Sequence, residues 1–520
     1  MRIEDNKRLI LNVKNPDRIT SVIPKSKVIQ RAERGAKVAV HWGLEEATIL
    51  KNLGFDNVPS PILRDYNWPG IDAPLSHQKT TAAFLTLHRR GYCFNQQGTG
   101  KTRSALWACD YLMNKGVIKK VLILCPLSIM ESAWVDDLFK TAMHRTVRVA
   151  YSKNAKTRRQ IIAENHAEFV IMNYDGLEIA QKEIAAAGFD LVIVDECNSM
   201  KSATTKRWKT FNSLLKPNMW LWMMTGTPAA QSPIDAYGLA KLVSPSKTPQ
   251  FFGTFRDQVM LKVTNFKWVP KPDADRIVHN LLQPAIRFTK EECLDLPEMT
   301  YVTRDTPLTP QQNKYYEILR KHFLAQAAGE DITAVNAAAG MNKLLQISAG
   351  TVYSDKKEVV EFDCKNRLTV LKEVIDESSN KVLVFIPYRH AIERVTENLR
   401  SDGYDVEIIN GDVSAGRRTE IFKTFQTTPK IKVLIIQPQA ASHGVTLHAA
   451  DTIVYWSPVL SVETYLQCNA RVHRAGLRHP ATVVHLQGSP IEKKVYKMLQ
   501  DKVDSHEKLV DLYKEVLNEY

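Results

Sequence analysis

The sequence predicts an α/β fold: two parallel-sheet lobes, a helical insert between them and a small N-terminal accessory region. Three observations carry this. Short apolar runs alternate with segments of helical periodicity over 71–240, and the alternation returns over 365–490. Between them, 241–364 lacks it and carries the long helical patterns 311–328 and 335–347 instead. A chain of 520 residues is also too long for one core.

In order along the chain, residues 1–70 mix short apolar runs with Lys25, Lys27, Arg31, Arg34 and Lys37, and end in a turn-rich stretch at 67–74, Asn-Trp-Pro-Gly-Ile-Asp-Ala-Pro. A basic arm that touches nucleic acid and a plain solvated basic face both fit this pattern. The first lobe has expected strands at 92–94, 121–125, 169–172, 191–194 and 219–224, with helices at 102–112 and 130–139. The second has strands at 382–386, 406–409, 433–436, 452–456 and 482–486. Runs without polar alternation fit strands covered by helices on both faces. The tail 491–520 places apolar residues at 491, 495, 498, 499 and 503, a helical spacing suited to a brace packed across the second lobe.

Composition narrows the function classes. A formal charge of +14 favours polyanionic partners. Seven scattered cysteines without a CxxC pair argue against a disulfide framework or a zinc site and fit a reducing compartment. No apolar run reaches membrane-spanning length, and the first residues lack a signal-peptide core. The expectation is a soluble, intracellular protein without membrane contact.

Three motifs carry chemistry. Gly98-Thr99-Gly100-Lys101-Thr102 lies between an expected strand and an expected helix, the setting of a phosphate-binding loop. Glycines let backbone N–H groups approach phosphate oxygens, Lys101 reaches the β- and γ-phosphates, and the Thr102 hydroxyl ligates Mg²⁺. Asn95 stands where the first glycine of that pattern belongs, and an ordinary glycine turn is the competing reading. Asp195-Glu196 follows the apolar run 191–194. There Asp195 would hold Mg²⁺ and Glu196 would polarise the attacking water, whereas a surface turn is the bland account. Arg471 and Arg474, with Gln467 one turn earlier, would share a helix face. Two guanidiniums reaching a γ-phosphate suit a transition-state role worth roughly 10³–10⁵ in rate, while a solvated basic face is equally open. Thr225-Gly226-Thr227-Pro228 after a strand, and 442–447 before the arginine strip, complete an ordered series that isolated loops do not explain.

These residues together resemble a Swi/Snf-type ATPase of helicase superfamily two, from Leu75 to Lys502. The matching segments are Gln78 in Ser76-His77-Gln78-Lys79, the phosphate loop, Asp195-Glu196-Cys197-Asn198 with Lys201, and Met224–Gln231. Further along they are Ile286–Lys290 with Leu296-Pro297, then Gly411, Arg418 and Phe425, Gly444–Asp451, Gln467–Gly476, and Ile491-Glu492 with Lys502. Asn198 replaces the usual histidine, Leu477 replaces a usual glutamine, and Asn95 departs at the loop. Compact bacterial or phage members are the most similar.

The resemblance implies two RecA-like lobes, ATP and Mg²⁺ as cofactors, and Gln78 as the adenine reader. Gly98, Thr99, Gly100, Lys101, Thr102 and Gly444 would complete the nucleotide site. It implies nucleic-acid contacts in the segments around Pro126, Asn173, Tyr174, Thr227 and Phe385, as well as Gly444. DNA is the implied partner, whether duplex, forked or branched, in a bacterial cytoplasm or a phage-infected host. Contacts to phosphate would make binding largely sequence-independent. The implied activity is an ATP-dependent translocase or helicase that remodels forks and branches. Three alternatives stay open. An RNA helicase is one, although the acidic box is not Asp-Glu-Ala-Asp. A translocase that displaces a DNA-bound protein such as RNA polymerase is another. The third is a nucleotide-binding scaffold without turnover.

Overall fold

The computed structural model describes residues 1–32, 35–229, 232–264, 268–293, 299–329, 334–353, 359–441, 445–473, 477 and 479–503. Of the expected site residues, Arg474 and Gly444 lie outside this set, as do Gln231, Leu296, Pro297 and most of the expected C-terminal brace.

Residues 1–70 open with a four-stranded antiparallel sheet in the order Arg2–Glu4, Arg8–Val13, Gly35–His41, Ser26–Ala32. Strand alternation sends Leu9, Leu11, Val38 and Val40 to one face, where Ile19, Ile23 and Trp42 close a small separate core. Lys27 and Lys37 stand exposed on the opposite face, so the basic run belongs to a folded unit and not to a loose arm.

The first lobe is a seven-stranded, wholly parallel sheet. Its order is Ala285–Ile286, Arg90–Cys93, Trp220–Met224, Leu191–Asp195, Val121–Leu124, Phe169–Met172, Val147–Val149. Alternate residues of the apolar strands feed two cores. Leu122, Val170 and Val192 face one layer of helices, and Ile123, Ile171 and Ile193 face the other. Burial on both faces is why these strands read as unbroken apolar runs. The second lobe repeats the scheme with six parallel strands, in the order Met299–Asp305, Ala481–Gln487, Ala450–Tyr455, Lys381–Phe385, Val433–Ile436, Val406–Ile409. All ten expected strands are present.

The expected insert over 241–364 is corrected. Ala285–Ile286 pairs with Arg90–Cys93 and so completes the first sheet, while Met299–Asp305 pairs along Ala481–Gln487 and so begins the second. The passage between lobes therefore falls between 286 and 299. The helices Pro310–Gly329 and Ala334–Ala349 come after the second sheet has started. Residues 490–503 are helical, and Ile491, Val495, Met498, Leu499 and Val503 pack on the core of the second lobe.

Candidate nucleotide site between the lobes

Register brings the motifs together. Met224 pairs with both Cys93 and Asp195, and Ile286 pairs with Cys93. Four strands thus end side by side, and the segments that follow them leave one edge of the sheet: the phosphate-loop candidate, the acidic pair, Thr225–Pro228, and Arg287–Lys290. The carboxyl edge of a parallel sheet is where such folds bind ligands.

Gly98 and Gly100 have φ of +89° and +82°, a backbone that only glycine adopts without strain. A Cβ on Gly100 would lie 2.1 Å from Gln78 Nε2. Lys101 opens the helix Lys101–Asn114, is buried, and rests its Nζ 3.4 Å from the Gln96 carbonyl. Thr102 follows in the first turn. Asn95 is a brace: its Nδ2 donates to Thr81 Oγ1 at 2.8 Å and its Oδ1 accepts from the Phe288 N–H at 3.0 Å. Gln78 lies against the loop, donating to the Thr99 carbonyl at 3.3 Å and accepting from the Leu75 N–H at 3.0 Å.

Asp195 is buried at the end of its strand and accepts from Trp134 Nε1 at 2.9 Å. Burial, and then the adjacent Glu196, push its carboxyl up to about 6, against the pull of Lys101. A carboxylate desolvated in this way is relieved by a cation, so the donor set fits Mg²⁺. Asp195 and Thr102 would hold it, and the ion would neutralise phosphate charge. Glu196 sits at φ +53°, strained for a residue with a side chain. Its carboxylate accepts from Gln97 Nε2 and from Thr225 Oγ1, both at 3.2 Å. Asn198 takes up a bridging position, its Nδ2 lying 3.3 Å from Thr225 Oγ1 and 3.1 Å from the Thr227 carbonyl.

The second lobe closes over this edge. Lys290 Nζ donates to the His473 carbonyl at 2.7 Å. The cleft is lined by Gln96, Thr227 and Arg287 on one side and by Tyr465, Asn469 and His473 on the other. Gln467 is buried in the last turn of the helix Val462–Asn469. A shared helix face for Arg471 and Arg474 requires a helix through both; the helix stops at Asn469 and Arg471 lies in the turn beyond, with Nη1 3.4 Å from the Val445 carbonyl, while Arg474 lies outside the described residues.

In the segments expected to contact nucleic acid, most of the named side chains turn inward. Phe385 is fully buried in the second core. Tyr174 is buried and donates to the Asp195 carbonyl. Thr227 is 4 % exposed and accepts from Asn198. Asn173 is buried against Arg158 and Asp175. Among the described ones, only Pro126 is partly open. Trp134 and Gln97 escaped sequence reasoning as partners of the acidic pair, whereas Thr225 stood out in the Thr225–Pro228 motif but its bond to Glu196 emerges only from the fold. Arg287, which donates to the Phe94 carbonyl at 2.7 Å, was visible only through the resemblance.

With this geometry in place, sequence comparison is decisive. The SNF2-related domain matches residues 76–355, more than half of the chain, and the helicase conserved C-terminal domain matches 366–476. The chain belongs to the SNF2-related family. It is an ATPase of the helicase type. Among similar proteins is putative protein p41 of Acyrthosiphon pisum secondary endosymbiont phage 1, 24% identical over 435 residues, covering 79% of this chain and 92% of p41. The mouse (Mus musculus) chromodomain-helicase-DNA-binding protein 1-like is 24% identical over 472 residues, covering 86% of this chain and 51% of its own. An uncharacterized ATP-dependent helicase of Mycoplasma pneumoniae is 24% identical over 481 residues, covering 87% and 44%. The chain thus spans about half the length of the last two relatives. A Sulfolobus solfataricus SWI2/SNF2 ATPase core in complex with dsDNA is similar at 19% identity and a TM-score of 0.41, covering 85% of this chain and 94% of that one. No helix among the described residues is long and apolar enough to cross a membrane.

Proposed function

We propose that this SNF2-related protein is an ATP-dependent DNA translocase that hydrolyses ATP between its lobes and remodels forked or branched DNA. The observation that carries the reading is the shared edge: Cys93, Asp195 and Met224 in register, with the second lobe docked across it through Lys290 and His473. Lys101 would bind the β- and γ-phosphates, Glu196 would orient water, and Arg471 with Arg474 would face the γ-phosphate when the lobes close. Hydrolysis removes the group that both lobes grip, so the cleft reopens. Alternating grip on one strand would turn that motion into steps.

Charge supports DNA as the track. The molecule carries +14, and the face of the N-terminal sheet opposite its core presents Arg2, Arg8, Lys27 and Lys37. Within the motor, contact with the strand would fall to the backbone and to exposed neighbours of Pro126, Asn173, Thr227 and Phe385. The test is ATPase rate with single-stranded DNA, duplex, a model fork and RNA, each at two salt concentrations. Strong stimulation by the fork that weakens with salt is the expected result. Stimulation by RNA alone would replace the reading with an RNA helicase, and no stimulation by any nucleic acid would move the search to a protein target.

A further inference from the structure

Residues 60–72 lie ahead of the SNF2-related domain, which begins at 76, yet they are built into the first lobe. Ile62 and Tyr66 belong to the core of that lobe and not to that of the N-terminal sheet. From Asp72 back to Asp65 the segment follows the helix Lys101–Asn114, the one that opens on the phosphate loop. Arg103 Nη1 donates to Asp72 Oδ2 at 2.9 Å, Trp107 Nε1 to the Pro69 carbonyl at 2.8 Å, and Tyr111 Oη to Asp65 Oδ1 at 3.0 Å. Just past the helix, Lys115 Nζ donates to Asp65 Oδ2 at 2.8 Å. These four donors recur at every fourth position, so they form one stripe about 18 Å long. Tyr66 adds a bond beside it, donating to the buried carboxylate of Asp110 at 2.7 Å.

The same segment reaches two further helices. Ser60 Oγ and Thr86 Oγ1 share a buried hydrogen bond of 2.7 Å, which ties the segment to Ser76–Leu87, the helix of Gln78. The Ile71 N–H donates to the Lys140 carbonyl at 2.9 Å, in the helix Asp136–Ala142. The approach there is close, since a Cβ on Gly70 would lie 2.5 Å from that carbonyl oxygen. Met130–Val135 runs directly into this helix and carries Trp134, the donor to Asp195. One segment thus grips the three elements that bring Gln78, Lys101 and Trp134 to the nucleotide site. Arg103 is where the grip meets the loop. It stands two residues after Lys101, and its guanidinium is held by Asp72 and, through Nε at 3.2 Å, by Asp137. A planar fork held at two edges fixes the first turn of the helix in rotation, and with it the direction in which Lys101 leaves. Lys101 has little hold of its own, its Nζ lying 3.4 Å from the Gln96 carbonyl. Donors to phosphate act at full strength only when they are already aimed.

We propose that residues 60–72 are a clamp that preorganises the nucleotide site, and that Asp72 is its positioning residue for the phosphate loop, acting through Arg103. This rests on the reading of the cleft as the ATPase site. The Asp72 side chain is 61 % exposed, so its removal tests placement of the loop and not folding. In Asp72→Ala, made in the whole chain, KM for ATP is expected to rise about fivefold, the scale of an exposed ion pair, with kcat within about twofold of wild type. Asp72→Glu keeps the charge and is expected to bring KM back to within about twofold. An unaltered KM in Asp72→Ala, whatever its Tm, overturns the proposal, and so does an Asp72→Glu variant as weak as Asp72→Ala. Amide hydrogen exchange over 96–104 in the nucleotide-free protein separates this outcome from failure of the functional reading. Faster exchange in Asp72→Ala than in wild type is expected and supports the clamp. Equal exchange overturns it, even where the wild type binds no ATP and the functional reading falls for that separate reason.

Discussion

Asn95 shows how a departure from a motif can strengthen the local structure. A glycine there would free the loop, whereas the amide ties the loop to the helix Ser76–Leu87 through Thr81 and to the segment after Ala285–Ile286 through Phe288. Asn95 is 1 % exposed, so its own amide is shielded from water. In Asn95→Gly the partly buried Phe288 N–H loses its acceptor and Thr81 Oγ1 loses this donor, and a loss of about 2 kcal/mol in the first lobe is expected from chemical denaturation. Stability within experimental error of wild type would show that the brace carries little weight. Lys101 is a different case, because its ammonium rests only 3.4 Å from a carbonyl and has little structural duty. Lys101→Ala should leave folding intact and lower ATP turnover by about 10²–10³, the scale of removing one preorganised donor from developing charge. Near-normal turnover would undo the assignment of the phosphate loop.

At the scale of elements, legibility followed burial. The runs Val121–Leu124, Phe169–Met172 and Leu191–Asp195 are covered on both faces and stood out in the sequence. Val147–Val149 and Ala285–Ile286 are edge strands of three and two residues, too short to show a period. Met299–Asp305 is largely exposed and reads Met-Thr-Tyr-Val-Thr-Arg-Asp, so its place in the second sheet is set by pairing and not by hydrophobicity. The loops of the site were legible because their residue types are chemically particular; Trp134 was not, since its partner Asp195 comes from a distant chain segment. The helix 490–503 offers an element-level test. Glu492 is fully buried and takes both nitrogens of Arg367 at 2.7 Å, with further bonds from Gly488 and Ser489. Glu492→Ala strands a buried guanidinium and should cost about 3 kcal/mol in the second lobe, while Arg367→Leu with Glu492→Leu should recover much of it. Equal losses in the single and double variants, read by denaturant unfolding, would contradict this. His485 adds a pH arm. Burial lowers its pKa to about 4 from 6.5. Between those values the unfolded chain binds the extra proton, so stability is intact above pH 6.5 and falls as pH drops toward 4. The slope of Tm against pH in that window should flatten in His485→Gln; an unchanged slope would place the sensitivity elsewhere.

At the scale of the whole molecule, the question is how a unit outside the motor joins in its work. The N-terminal sheet has its own core, so its open face is not needed for packing that core. Register places Arg2 and Lys27 in one row with Ile10 and Ala39 between them, while Arg8 pairs with His41 and Lys37 with Asn12 in the flanking rows. The acidic partners are Glu4, 3.2 Å from Arg2, and Asp5, 2.9 Å from Arg8, which leaves Lys27 and Lys37 as the cations best placed for a polyanion. Exposed ion pairs of this kind contribute little to stability, so charge reversal at the lysines tests binding and not folding. In Lys27→Glu with Lys37→Glu, the DNA concentration for half-maximal ATPase stimulation should rise about tenfold at low salt. The slope of log affinity against log salt should shrink by about one for each phosphate that is no longer neutralised. The discrimination is sharp, because a sheet that merely solvates its charges would leave both the midpoint and the slope where they are in the wild type. A shifted midpoint with an unaltered slope would mean that charge reversal acts through the lobes and not through phosphate. Only the two changes together place the N-terminal sheet on the path of the DNA.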